Sequence, residues 1–129
     1  MILTKGLIKA DIIAAKQAIE YYETTGLKDI KNVAAYHLQQ AVEKLIKYQI
    51  YSGCNSVNNS QMYTHNIERL IVYGESLGIQ LLVPDYVREK SLRITDWEVG
   101  SRYDVSFSIR IDMLKKTYSI VDAWFGQVK

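Results

Sequence analysis

A single cysteine, Cys54, stands among 129 residues, which excludes an internal disulfide and any multi-cysteine zinc site. It lies in the polar run SGCNSVNNS at 52–60, and a reducing cytoplasm is the expected compartment. Proline is as scarce: Pro84 is the only one, and Gly26, Gly53, Gly74, Gly78 and Gly100 fall mostly where a helical period stops. So few breakers predict long helices. No stretch approaches the run of about 18 uncharged apolar residues that a membrane span needs. The N-terminal MILTKGLIKADIIAAK is interrupted by Lys5, Lys9 and Asp11, leaving no apolar core of about 7 to 15 residues for a signal peptide. The chain is therefore expected to be neither exported nor inserted. Charge of one sign is also missing: 16 Lys and Arg against 14 Asp and Glu give +2. That is well short of the basic surplus that announces a nucleic-acid binder by itself, but it leaves room for a local basic patch.

Chemical motifs are lacking too. There is no nucleophile elbow, Walker loop or GxGxxG, and the scattered Gly74, Gly78 and Gly100 do not form a phosphate cradle. His37 and His65 are the only histidines, and neither sits in a His-x-x-x-His or Cys-His spacing, so no metal and no cofactor is expected. No run repeats at a fixed period, and no Asn-Gly or Asp-Gly separates alternating apolar runs to mark a hairpin.

What is present reads as an all-α single domain over 1–129, of a size that buries roughly two-thirds of its unfolded surface. A first helix is predicted from about Leu3 to Thr24, with Leu7, Ala10, Ala14, Ala18 and Tyr21 or Tyr22 facing the core and Gly26 as the stop. The second spans about Asp29 to Tyr51, with a core stripe of Ala34, Leu38, Ala41, Leu45 and Tyr48. Ser52 to Tyr63 reads as a polar, flexible loop. A third helix follows from about His65 to Leu77, capped by Thr64 and buried through Ile67, Leu70, Ile71 and Leu77. A fourth runs from an Asp85 cap to about Val99, carrying Tyr86, Leu92, Ile94 and Trp97. The fifth, from about Ser106 to Trp124, has the steadiest period: Phe107, Ile111, Leu114, Tyr118, Val121 and Phe125. Four or five such helices pack most simply as an antiparallel up-and-down bundle. Ile109, Met113, Ile120 and Trp124 exceed one buried stripe, and either homodimerisation or the chain's own loops must cover them.

The polar side of the second helix raises the functional question. Gln39, Glu43 and Lys47 are spaced by four and line up along the helix, with His37, Gln40 and Lys44 in an adjacent row. On spacing alone, Glu43 and Lys47 make an exposed pair worth a few tenths of a kcal/mol, and the glutamines are solvated. His65 is as well suited to a local hydrogen bond as to a functional role. Arg102, beside Tyr103 in GSRYDV, can reach a phosphate or pair with Glu43 or Asp104. Among the ten tyrosines, Tyr36, Tyr63, Tyr86 and Tyr103 are candidates for base stacking or for core positions with a wet hydroxyl.

Three fragments then fall into a pattern: YHLQQAVEKLIKY at 36–48, THNIERL at 64–70 and SRY at 101–103. Their order and separation resemble the HEPN family, the higher-eukaryote and prokaryote nucleotide-binding domain, over essentially the whole chain. The resemblance implies a four- or five-helix up-and-down bundle, usually dimeric, associated with nucleotides or RNA. It also implies a minimal nucleotidyltransferase partner, as in toxin-antitoxin pairs. Many such proteins are metal-independent ribonucleases that carry Arg, four to six residues, then His. That motif is missing here: His65 is the last histidine, and Arg69, Arg88, Arg93, Arg102 and Arg110 all follow it. Asp104 also stands where the family has proline, and Asn66 where it has aspartate. Carried over residue by residue, the resemblance implies a binding site of Gln40, Glu43, Lys44, His65, Arg102 and Tyr103, with Lys44 and Arg102 meeting phosphate. The expectation is a non-catalytic, cytoplasmic, homodimeric module for a nucleotide, RNA or a minimal nucleotidyltransferase partner. Two alternatives are a ribonuclease that uses His65 with Arg102, and a purely structural dimer.

Overall fold

Thr4 sets where the chain becomes helical. Its backbone is extended (φ −112°, ψ 157°), and its hydroxyl accepts from the Leu7 N–H at 3.2 Å, so α1 runs Lys5–Thr25. Gly26 ends it in the left-handed region (φ +70°), where a side chain would be strained. The computed structural model of the chain describes residues 3–103 and 108–129, and of residues 101–103 only the backbone. Within these it contains α2 (Ile30–Gly53), α3 (Asn59–Met62), α4 (Ile67–Ser76), α5 (Asp85–Glu89), α6 (Ser91–Tyr103) and α7 (Ile111–Gln127), and no strand among the described residues.

Several boundaries differ from the sequence reading for identifiable reasons. Asn66, not Thr64, caps α4: its Oδ1 accepts from the Arg69 N–H at 3.0 Å, while Thr64 Oγ1 accepts from the Asn66 N–H one step earlier. His65 is therefore placed before the helix and not in its first turn. The polar segment after α2 is pinned. Asn58 Oδ1 accepts from the Ser60 N–H, which gives α3 its cap; the Asn58 N–H donates to the Tyr73 hydroxyl at 2.6 Å, and Met62 is buried. The expected fourth helix divides at Lys90 into α5 and α6, and Asp85 sits in the first turn of α5, after the capping Pro84. The last helix starts at Ile111, not Ser106, because Arg110 is extended and its carbonyl takes the first helical N–H groups. Ser106 and Phe107 lie outside the described residues.

Side-chain pairs fix the topology. Lys9 meets Asp122 at 3.5 Å and Glu23 meets Lys115 at 2.9 Å, so α1 and α7 are antiparallel. Lys5 donates to the Phe125 and Val128 carbonyls and closes the C-terminal end of α7. The tight 26–29 connection folds α2 back along α1. The chain then returns alongside α2, so that His65 meets Glu43 while Gly74, further on, packs on Ile50; α4 is thus parallel to α2. The Ile67 N–H donates to Thr95 Oγ1 and Arg88 meets Glu75, which sets α5 and α6 antiparallel to α4.

The centre of the bundle is α2, which packs against α1, α4, α6 and α7. It buries Ala34, Ala35, Leu38, Ala41, Val42, Leu45, Ile46 and Ile50, more than the single stripe its period suggested. On α1 the predicted face is corrected: Ile8, Asp11, Ile12, Ala15, Ala18 and Ile19 point inward, whereas Leu7, Ala10 and Tyr21 are exposed. Burying three isoleucines removes more apolar surface than burying the predicted alanines, so the helix turns about one residue from the predicted stripe. Leu77 and Leu92 are exposed as well. Ile109 and Trp124, read above as apolar excess, lie in the chain's own core; Trp124 Nε1 donates to the Leu82 carbonyl at 2.7 Å. Among the described residues no helix is long and apolar enough to cross a membrane.

Candidate functional site

Glu43 lies midway along the most enclosed helix of the bundle, and it is only 5% exposed. A buried carboxylate is costly unless donors surround it. Three do. Lys47 Nζ, one turn on, approaches Oε2 at 3.0 Å; Gln39 Nε2, one turn back, donates to Oε1 at 3.1 Å; and His65 Nδ1 lies 2.8 Å from Oε1. An ionised carboxylate only accepts, so the His65 Nδ1 carries the proton and donates. The lysine and glutamine come from the helical i±4 spacing, while the histidine is delivered by the segment that returns along α2. Gln40 Nε2 in turn donates to Gln39 Oε1 at 2.7 Å. The expected exposed Glu43–Lys47 pair with solvated glutamines is thus corrected: Gln39 is fully buried and the pair is largely enclosed, because α2 packs against four other helices.

A second carboxylate, Asp11, faces α2 from α1. Lys44 Nζ meets its Oδ2 at 2.6 Å, and His37 Nδ1 meets its Oδ1 at 2.8 Å. Burial by itself pushes the Asp11 carboxyl up, but the hydrogen bonds and charges of His37 and Lys44 outweigh it and hold the group below its ordinary value. Every described buried side-chain nitrogen and oxygen has a hydrogen-bond partner.

Between α2 and the returning segment lies a cleft of about 480 Å³. Gln40, Glu43, Lys44, Lys47 and Tyr51 supply one wall, and Asn59, Met62, Tyr63, Thr64 and His65 the other, with Leu3 at one end. The His65 side chain is 59% exposed, and its Nε2 lies 4.0 Å from the buried Glu98 carboxylate on α6. Four of the six residues predicted from sequence, Gln40, Glu43, Lys44 and His65, therefore line one cleft. Arg102 and Tyr103 fall in the last turn of α6; their side chains, and with them the suggested pairing of Arg102 with Glu43 or Asp104, lie outside the described residues. A larger groove of about 710 Å³ between α3 and α4 contains none of the six and Arg69 as its one cation.

Sequence reasoning passed over Asp11, Lys47 and Tyr51 as site residues, and named Tyr63 only among four tyrosines that could stack a base or sit in the core. Asp11 carried a signal, a charge set within the inward row Ile8, Ile12 and Ala15. Tyr51 carried none, and nothing in the sequence paired it with Tyr63, since only the return of the chain along α2 brings the two to one cleft. Among the described residues no group of three or more His, Cys, Asp or Glu is arranged to hold a metal ion.

The arrangement offers lysine N–H donors, a carboxylate-oriented imidazole and two exposed tyrosines around one concavity. A family model described as HEPN domain matches residues 9–123. No curated protein and no solved structure matches the chain.

Proposed function

The chain belongs to the HEPN domain family, and from that premise we propose that the α2 cleft is the binding site of a non-catalytic module that takes a nucleotide or RNA and works with a minimal nucleotidyltransferase in a toxin-antitoxin-type pair. Family membership supports a nucleotide- or RNA-associated role in general. One observation carries the local reading: His65, 22 residues beyond Glu43, is brought onto the same cleft as Gln40, Glu43, Lys44 and Lys47 of α2. Each ammonium has three N–H donors, of which Asp11 and Glu43 engage one apiece among the described residues, leaving donors for phosphate oxygens. Titration with ATP, RNA and a nucleotidyltransferase encoded by a neighbouring gene is expected to shift the amides of residues 40–51 and 59–66. Amide shifts unchanged by all three would overturn the proposal in favour of a purely structural network.

A second reading, a metal-independent ribonuclease, is favoured by the Glu43–His65 pair. A carboxylate on Nδ1 fixes the ring of a half-exposed imidazole on the cleft wall, an arrangement that acid–base chemistry uses. The family's Arg-x4-6-His pair is absent, so the histidine would act with Arg102 in the reverse chain order. RNA cleavage in EDTA, abolished by His65→Ala, is the expected result; no detectable cleavage by the unsubstituted protein disposes of this reading.

The module is further proposed to be a cytoplasmic homodimer. Of the apolar excess read from the sequence, Ile109 and Trp124 are buried and Met113 and Ile120 are partly buried against the core; the exposed Val72, Leu92 and Val99 on α4 and α6 are the side chains proposed for self-association. Sedimentation at micromolar concentration gives a dimer if this holds and a monomer if it does not.

A further inference from the structure

Among the described residues Tyr63 is the most exposed large hydrophobic side chain, at 91%, and it stands on the wall of the α2 cleft. A ring left in water forgoes the burial that aromatic side chains normally gain. Its backbone is nonetheless fixed. The Tyr63 N–H donates to the Asn59 carbonyl at 2.9 Å, its neighbour Met62 is buried, and Asn58 ties the same turn to Tyr73. The ring is thus held up to solvent by an anchored turn. On the α2 side of the same cleft Tyr51 is 42% exposed, with Lys47 and Lys44 one and two turns further in. An aromatic rim next to a cationic wall matches the two parts of a nucleotide: a flat base that stacks without regard to its identity, and a phosphate that takes lysine donors.

Resting on the reading of this cleft as a nucleotide site, we infer that Tyr63, with Tyr51, is a stacking platform for an unpaired nucleobase, so that the ligand is a free nucleotide or single-stranded RNA and not a duplex. A base within a helix is already stacked on its neighbours and offers no free face to the ring; shape and backbone contacts carry duplex recognition instead.

The test compares AMP, ribose 5-phosphate, a short single-stranded RNA and a fully paired RNA hairpin on the intact chain. Tyr63→Ala is expected to weaken AMP and single-stranded RNA roughly 5- to 150-fold, the range base–aromatic stacking spans. Tyr63→Phe keeps the affinity, and ribose 5-phosphate and the hairpin do not respond to either substitution. Because the ring is exposed, the unfolding midpoint of Tyr63→Ala stays at that of the unsubstituted protein, which separates lost stacking from lost fold. AMP and ribose 5-phosphate binding equally well, with Tyr63→Ala changing neither, would overturn the platform while leaving the phosphate site standing. If no probe binds the unsubstituted protein, the site itself falls, and the platform with it. Tyr63→Ala that spares AMP binding but abolishes capture of a nucleotidyltransferase would make the tyrosine a protein-docking residue and likewise overturn the inference. Whether AMP or single-stranded RNA binds more tightly identifies which source of the base the cleft takes.

Discussion

Glu43 illustrates what burial does to a polar residue on a helix. Its donors Lys47, Gln39 and His65 are themselves enclosed or held by the fold, so removing the carboxylate strands an ammonium and an amide that have lost water as well. Glu43→Ala is expected to lower stability by about 3 kcal/mol or more, as when one partner of a buried pair is deleted. Glu43→Gln, which keeps the shape and one acceptor, should cost less, and urea midpoints of the two variants check the order. Asp11 makes a different prediction. Its folded value is depressed, so its contribution to stability is present above the unfolded carboxylate range and is lost as pH falls through the folded value, below about pH 4. Asp11→Asn is expected to unfold at lower urea than the unsubstituted protein near neutrality, and the gap should close on acidification. A gap that stays constant from neutrality to below pH 3 would show that His37 and Lys44 do not hold that carboxyl.

At the scale of elements, glycines within helices separate propensity from packing. Gly6 in α1 has only the flexible Thr4 hydroxyl near a built Cβ, at 3.7 Å, so Gly6→Ala is expected to stabilise by up to about 1 kcal/mol. Gly74 in α4 is the opposite case. A Cβ there would stand 2.7 Å from Leu81 Cδ1 and 3.0 Å from Ile50 Cγ1, and overpacking of about 1–3 kcal/mol outweighs the propensity gain. Opposite shifts in thermal midpoint for the two variants are the expected result. The long helices were legible because period and stop signals are local, whereas the four-residue α3 lay inside a run that reads as a loop. Boundaries were less so: Thr64 and Asn66 are both good caps, and what favours Asn66 is the Thr95 hydroxyl of α6, which takes the Ile67 N–H.

For the whole molecule, one helix touching four others makes α2 the last part to open. Hydrogen exchange of the Leu38–Ile46 amides is expected to report the global unfolding free energy, whereas residues 54–66, which form the outer wall of the cleft, open at lower cost. Equal protection in the two regions would contradict that ordering. It would also mean that the Tyr63 wall is as rigid as the α2 wall it faces.

The sequence by itself determined an all-helical fold, the main apolar stripe of α2, the buried Ile67, Leu70 and Ile71 of α4 and, through short fragments, the family and four residues of the cleft. These rest on local periodicity and on motif order, both of which are written along the chain. Only the tertiary structure decided that Gln39 and Glu43 are inside, that Asp11 gathers His37 and Lys44, and that Tyr51 and Tyr63 share a cleft. A single helix shows one apolar stripe whatever surrounds it. How much of its remaining surface is dry depends on how many neighbours pack against it, and that depends on the chain returning alongside α2 after Gly53.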